Sequence, residues 1–130
     1  MPMTILIADD SRIMRNTIKG VFSGTGEQFS FVEAGNGEEA MALLEAFPVD
    51  LVLLDINMPV LSGMEFLKAV RACEKYCNLP VVMVTNESAR ASVIEALRSG
   101  ATDYITKPIS PETFREKLAK IPRFSALVKR

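Results

Sequence analysis

Five side chains in this sequence could carry out phosphoryl or cation chemistry, and each stands at or just beyond the end of an apolar run. Asp9 and Asp10 follow Ile5-Leu6-Ile7-Ala8, Asp55 follows Leu51 to Leu54, and Thr85 follows Val81 to Val84. Lys107, with Pro108 after it, comes just beyond Tyr104-Ile105. A single Asp in such a place is most often a turn former or a helix cap. Three acids, a hydroxyl and an ammonium at four run ends are a different matter, because a fold that gathers those ends puts all five groups in one cleft. Crowded carboxylates repel one another, and a divalent cation relieves the repulsion. With no His in the chain and no useful Cys set, the ligands are all oxygen, which favours Mg2+. An Asp with an ordinary pKa near ~3.9 is ionised at neutral pH and can attack phosphorus to form an aspartyl phosphate. A phosphoryl group in transfer spreads negative charge over three oxygens, and a cation, an ammonium and a hydroxyl can each hold one. Asp9/Asp10, Lys107 and Thr85 supply that set.

The elements that must position these groups alternate along the chain. Ile5 to Ala8, Phe29 to Val32, Leu51 to Leu54, Val81 to Val84 and the short Tyr104-Ile105 read as strands. The first, third and fourth are continuously apolar, as strands covered on both faces must be. Between them run helical stripes: Ile13, Thr17, Ile18 and Val21; Ala40, Leu43, Leu44 and Phe47; Leu67 and Val70; Val93, Ile94 and Leu97; Phe114, Leu118 and Ile121. Ser62, Ser88 and Ser110 stand at N-cap positions, Pro111 suits a first helical position, and Gly100 is a stop signal. Gly35-Asn36-Gly37 reads as a turn into the second helix, and Gly63 as a close-approach position behind the Asp55 loop. Five strand–helix repeats make an α/β, doubly wound parallel sheet with helices on both faces. In such a sheet, ligands bind beyond the carboxyl ends of the strands, where the candidate groups lie. The 130 residues read as one domain, 1–130, with a core of about 4–121 and a frayed C-terminal tail over 122–130.

Composition narrows the function. Fifteen Lys/Arg against sixteen Asp/Glu give a formal net charge of −1, which points to no nucleic acid and no anionic membrane as partner. The absence of His removes Ser-His-Asp and Cys-His catalysis and every His-ligated zinc site. Cys73 and Cys77, four apart and read as one helix face, are reduced thiols of a cytoplasmic protein. The first apolar run ends in two acids and is too short for a signal peptide, and no run reaches the ~20 residues of a membrane span. Asp9-Asp10-Ser11-Arg12 contains no glycine, so neither a dinucleotide fingerprint nor a P-loop is present.

Taken together, Ile-Leu-Ile-Ala-Asp9-Asp10-Ser, Asp55-Ile-Asn-Met-Pro59, Val-Met-Val-Thr85 and Gly100-Ala-Thr-Asp-Tyr-Ile-Thr-Lys107-Pro108 resemble the receiver domain of two-component response regulators, from residue 4 to about 121. The resemblance implies a flavodoxin-like five-stranded sheet of order 2-1-3-4-5. It implies Asp55 as phosphoacceptor, served by a histidine kinase. It implies Mg2+ held by Asp10, Asp55 and the backbone carbonyl of Asn57, with Asp9 supporting. Thr85 and Lys107 would bind the phosphoryl oxygens. Thr85 and Tyr104 would form the switch, Thr85 moving toward the phosphoryl group and Tyr104 turning inward behind it. The Lys107–Pro108 bond is expected to be cis. Asp-Ser-Arg-x-Met-Arg-Asn, Glu87 and Pro-Glu-Thr-Phe-Arg-Glu-Lys-Leu look like the CheY-type chemotaxis branch, which implies a monomer with a downstream protein target such as the flagellar motor switch, and an auxiliary phosphatase as a further partner.

Asn57, Asn86 and Glu87 are the residues expected to modulate the phosphoryl lifetime. Asn86, just after Thr85, is larger than the small residue usual there; Ser62 stands where Asp is frequent, and Ala8 replaces a larger aliphatic. Two other functions compete: a Mg2+-dependent phosphatase with an Asp nucleophile, and a receiver in a phosphorelay outside chemotaxis. The phosphatase needs a second acid two residues after the nucleophile, where this chain has Asn57.

Overall fold

The computed structural model describes residues 3–23 and 28–127. Five strands, β1 (Met3–Ala8), β2 (Phe29–Ala34), β3 (Leu51–Leu54), β4 (Val81–Thr85) and β5 (Asp103–Thr106), alternate with α1 (Arg12–Val21), α2 (Gly37–Ala46), α3 (Gly63–Ala72), α4 (Arg90–Arg98) and α5 (Pro111–Leu118). The strands pair in parallel in the order β2-β1-β3-β4-β5, as expected.

The continuous apolar runs divide by the period of two between the faces of the sheet. Ile5, Ile7, Leu51, Leu53, Val82 and Val84 face α1 and α5 through Ile18, Val21, Phe114 and Leu118. Leu6, Ala8, Val52, Leu54, Val81 and Met83 face α2, α3 and α4 through Leu44, Phe66, Leu67, Val70 and Ala96. Each fully buried side chain of this size removes enough apolar surface to favour folding by about 1.5–3 kcal/mol.

Side chains set the helix starts. Ser11, Asn36, Ser62 and Ser110 each accept a hydrogen bond from the backbone N–H three residues on, and Ser62 with Glu65 forms a reciprocal capping box. Ser88 does not cap α4: the helix begins one residue later, Ala89 holds the cap position, and no side chain closes it. At the other end of α4, Gly100 adopts φ +106, and the N–H groups of Gly100 and Ala101 bond to Leu97 and Ala96 in a Schellman turn.

Other details depart from the sequence pattern. Ile13 is 80% exposed, so the α1 stripe begins only at Ile18. Phe47 lies past the end of α2, and Ile94 and Leu97 of α4 face outward, leaving Ala96 as its buried anchor. Cys73 is the C-cap of α3 and Cys77 follows a separate 3-10 turn, Glu74–Tyr76, so the two thiols do not share a helix face. Of the segment expected to fray, Pro122–Leu127 form a 3-10 helix whose Phe124 is buried against Phe29, and 128–130 lie outside the described residues. Arg123 from the same segment pairs with Asp50 at 2.8 Å.

Candidate functional site

Parallel pairing brings the strand ends into register and with them the polar residues. The Asp9 N–H bonds to Ala34 of β2, the Asp55 N–H to Ala8 of β1, and the Lys107 N–H to Thr85 of β4. The backbone of one strand thus fixes the first residue beyond the next. The Lys107–Pro108 peptide is cis. The Asp55 loop is seated directly on the start of α3: the Gly63 N–H bonds to Ile56, and a Cβ on Gly63 would lie 2.0 Å from the Asp55 carbonyl oxygen. Only glycine fits there.

Asp9, Asp10 and Asp55 converge so that one oxygen from each lies within 4.8 Å of the others. They line an open cleft of about 540 Å³ together with Ser11, Met14, Asn57, Asn86, Lys107 and Pro108. Asp9 and Asp55 are buried and Asp10 is exposed. The Lys107 ammonium lies between the two buried acids, 2.8 Å from Asp9 Oδ2 and 3.1 Å from Asp55 Oδ2. Burial alone would lower the Lys107 pKa; hydrogen bonds to Asp9 and Asp55, with the charges of both acids, outweigh it and hold the ammonium above the ordinary lysine range. Asp9 Oδ1 accepts the Ser11 N–H, and Asp55 Oδ1 accepts the Asn57 N–H. Asp10 makes no side-chain hydrogen bond or ion pair among the described residues. An all-oxygen acidic cluster with one free exposed carboxylate suits a hard divalent cation that keeps part of its water shell.

Six of the residues singled out in the sequence therefore meet at one cleft: Asp9, Asp10, Asp55, Asn57, Asn86 and Lys107. Thr85, Glu87 and Tyr104 stand behind it. Thr85 is fully buried and its hydroxyl accepts the Glu87 N–H at 3.3 Å. The Tyr104 hydroxyl donates to the Glu87 carbonyl at 2.6 Å. The ring is already turned inward, 6% exposed and packed in the core beneath α4, rather than waiting outside it. Burial, and then the charges of Glu87 and Asp55, raise its phenol pKa. Met14 lines the cleft, whereas Met58 is buried in the core. Arg15, the second arginine of the Asp-Ser-Arg-x-Met-Arg-Asn stretch, donates from its guanidinium to the Asp9 carbonyl, a role that the stretch does not disclose. Its second partner, Glu33, sits on another strand, so no local spacing could have revealed it.

The same chain matches the response regulator receiver domain family over residues 5–119. It is 41% identical over 120 residues to a chemotaxis protein CheY homolog of Campylobacter jejuni, covering 92% of each chain. Chemotaxis protein CheY of Pseudomonas aeruginosa is 40% identical over 119 residues, which cover 92% of this chain and 95% of that one. Among solved structures, Vibrio cholerae chemotaxis protein CheY4 superposes with a TM-score of 0.83 at 32% identity, over 93% of this chain and 99% of its own. A CheX-CheY-BeF3-Mg2+ complex from Borrelia burgdorferi gives 0.84 at 27% identity, over 93% of this chain and 90% of the matched one.

Proposed function

The chain belongs to the response regulator receiver domain family, and from that premise we propose that it is a phosphorylation-switched binding module of the chemotaxis type, loaded at Asp55 by a histidine kinase. The observation that carries this reading is the meeting of Asp9, Asp10, Asp55 and Lys107 in one cleft. An Asp55 oxygen attacks phosphorus; the new P–O bond forms as the P–N bond of a phosphohistidine breaks, and the imidazole leaves with that electron pair. Lys107 is placed to follow the incoming charge: its ammonium already touches Asp55 and can hold a phosphoryl oxygen without crossing solvent. Thr85 is buried at the adjacent strand end, and its hydroxyl can hold a second oxygen by giving up the Glu87 N–H. Asp10, Asp55 and the Asn57 carbonyl would hold Mg2+, with Asp9 supporting; the ion, when bound, neutralises charge on the phosphoryl oxygens.

The consequence for binding runs through Glu87. Its N–H is held by Thr85 and its C=O by Tyr104, so a shift of the Thr85 hydroxyl changes the peptide frame to which the Tyr104 ring is tied. The surface of α4, β5 and α5 then changes shape, and a partner that prefers one form shifts the population by its differential affinity. The Borrelia relative, solved with CheX, Mg2+ and a beryllium fluoride, supports a protein partner for the loaded form. The wider reading is of a cytoplasmic monomer with a downstream target such as the flagellar motor switch and an auxiliary phosphatase. It turns over only its own phosphoryl group. None of the described helices is long and apolar enough to cross a membrane.

The test is incubation with acetyl phosphate and Mg2+ followed by intact mass, with a beryllofluoride complex as companion should hydrolysis be fast. The parent gains one phosphoryl group and Asp55→Asn gains none. Undiminished labelling of Asp55→Asn would remove Asp55 from the role.

A further inference from the structure

Arg15 occupies the second turn of α1 and is mostly buried, with its side chain 15% exposed. Its Nη1 donates to the main-chain oxygen of Asp9, and its Nε donates to Glu33 Oε1 at 2.9 Å. Glu33 lies on β2 opposite Ile7 of β1, and Lys19, one turn further along α1, holds its other oxygen at 2.7 Å. A partly buried guanidinium is therefore oriented by one charged partner and spends a donor on a backbone carbonyl beside the acidic cleft.

That carbonyl belongs to the Asp9–Asp10 peptide plane. The plane's rotation sets the direction in which Asp10 leaves the chain. Asp9 has other restraints, since Lys107 and the Ser11 N–H hold its carboxylate and its own N–H bonds to β2. Asp10 has no side-chain partner among the described residues, so only its backbone aims it. We propose that Arg15 is a positioning residue for the divalent cation: by fixing the Asp9 carbonyl, it holds Asp10 in register with Asp55. The inference rests on the reading of the acidic cluster as the Mg2+ site. Charge alone predicts the opposite effect of removing Arg15, because deleting a cation beside three carboxylates favours Mg2+. The sign of the change therefore separates positioning from electrostatics.

The experiment is a Mg2+ titration of the full chain followed by amide chemical shifts, paired with the Mg2+ dependence of labelling by acetyl phosphate. Arg15→Met should weaken Mg2+ binding about tenfold, the lower end of what lost outer-shell support costs a metal site. Its labelling rate at saturating Mg2+ should stay near the parent's while the half-saturating concentration rises. Arg15→Lys keeps the charge but cannot span both partners, and should recover part of the loss. Glu33→Gln leaves Arg15 in place with a weaker orienting partner and should weaken Mg2+ by about two- to threefold, between the parent and Arg15→Met. It also serves if Arg15→Met does not fold. A structural role alone would lower the unfolding midpoint and leave the Mg2+ titration of the folded protein unmoved. Mg2+ binding unchanged or tighter in Arg15→Met, or unchanged in Glu33→Gln where Arg15→Met does not fold, overturns the inference. The control is Asp10→Asn: if it too titrates like the parent, the Mg2+ site itself is misassigned and the inference falls with it, whereas loss of binding there alone condemns only Arg15.

Discussion

Asn86 is exposed, lines the cleft mouth and follows the residue expected to hold a phosphoryl oxygen. Water that hydrolyses an aspartyl phosphate must approach in line with the scissile bond, and small misplacement is costly. A side chain of this size at the mouth crowds that approach. Asn86→Ala should hydrolyse its phosphoryl group faster than the parent at equal Mg2+, by roughly threefold on that reasoning; equal or slower decay would show that Asn86 only shapes the loop. Glu33 gives a second prediction at this scale. The hydrogen bond from Lys19 lowers its pKa; burial opposes, and the bond from Arg15 and both charges reinforce the lowering. A carboxylate whose folded pKa is depressed contributes stability above its unfolded pKa, and that contribution is lost as pH falls through the folded value. Glu33→Gln should thus destabilise by about 0.5 kcal/mol at neutral pH, the scale of a partly exposed ion pair. The difference should shrink below the ordinary glutamate value of 4.5, as read by urea unfolding at stepped pH. Val60 is strained: it is exposed at φ 70, centred on a three-residue turn closed by the Leu61 N–H and the Pro59 carbonyl. Asparagine tolerates that region better than a β-branched residue, so Val60→Asn should stabilise by about 1 kcal/mol in the same assay.

Among the elements, α4 is the least secured. It buries only Ala96 fully, its ion pair to α3 through Lys68 and Glu95 is exposed, and Ala89 leaves its first N–H groups without a side-chain acceptor. Every other α-helix has such an acceptor. A hydroxyl at residue 89 should cap it: Ala89→Ser is expected to add about 1 kcal/mol and to slow amide exchange in the first turn of α4. No change in either would mean that Ser88 already serves that end in solution. The same helix shows why part of the fold was legible in the sequence and part was not. The strands β1, β3 and β4 declared themselves because both their faces are covered, leaving uninterrupted apolar runs bounded by turn residues. Asp55 and the acidic pair were visible because each ends such a run, and Lys107 because it follows closely on the short Tyr104-Ile105 pair. Spacing alone cannot tell a core stripe from an outward one, so Ile13, Ile94 and Leu97 look like core and face solvent. A Ser one position early reads as well as a cap in place, since the choice between residues 88 and 89 depends on where the β4 loop releases the chain.

Across the whole molecule, the face of the sheet under α1 and α5 is completed from outside the repeating pattern. Phe124 lies beyond the fifth strand–helix unit and beyond the 5–119 family match, three residues past Ile121, the last position of the fifth-helix stripe. Its ring nonetheless stacks on Phe29 of the edge strand β2, with centroids 6.3 Å apart and planes 9° from parallel. Phe29 in turn meets Phe22 edge-on at 5.0 Å, and Phe22 meets Phe114 of α5 at 6.4 Å. An aromatic relay therefore ties the end of the chain to α1, β2 and α5. The ion pair between Arg123 and Asp50 adds little, because Arg123 is largely exposed. Removing the Phe124 ring should leave a cavity that the surrounding aromatics fill only in part, since each is held by its own neighbours. Phe124→Ala should cost about 3 kcal/mol, the low end of large-to-small changes in a core, because the site lies near the surface and can partly relax. That is a large fraction of the ~5–15 kcal/mol that separates a folded domain from its unfolded chain. The acids lie at the far ends of the strands, so the folded variant should still be labelled at Asp55 by acetyl phosphate. Urea unfolding and intact mass read the two quantities separately. A loss below about 1 kcal/mol would mean that the segment is an ornament on a self-sufficient core, and loss of labelling in the folded variant would mean that the aromatic relay reaches the cleft.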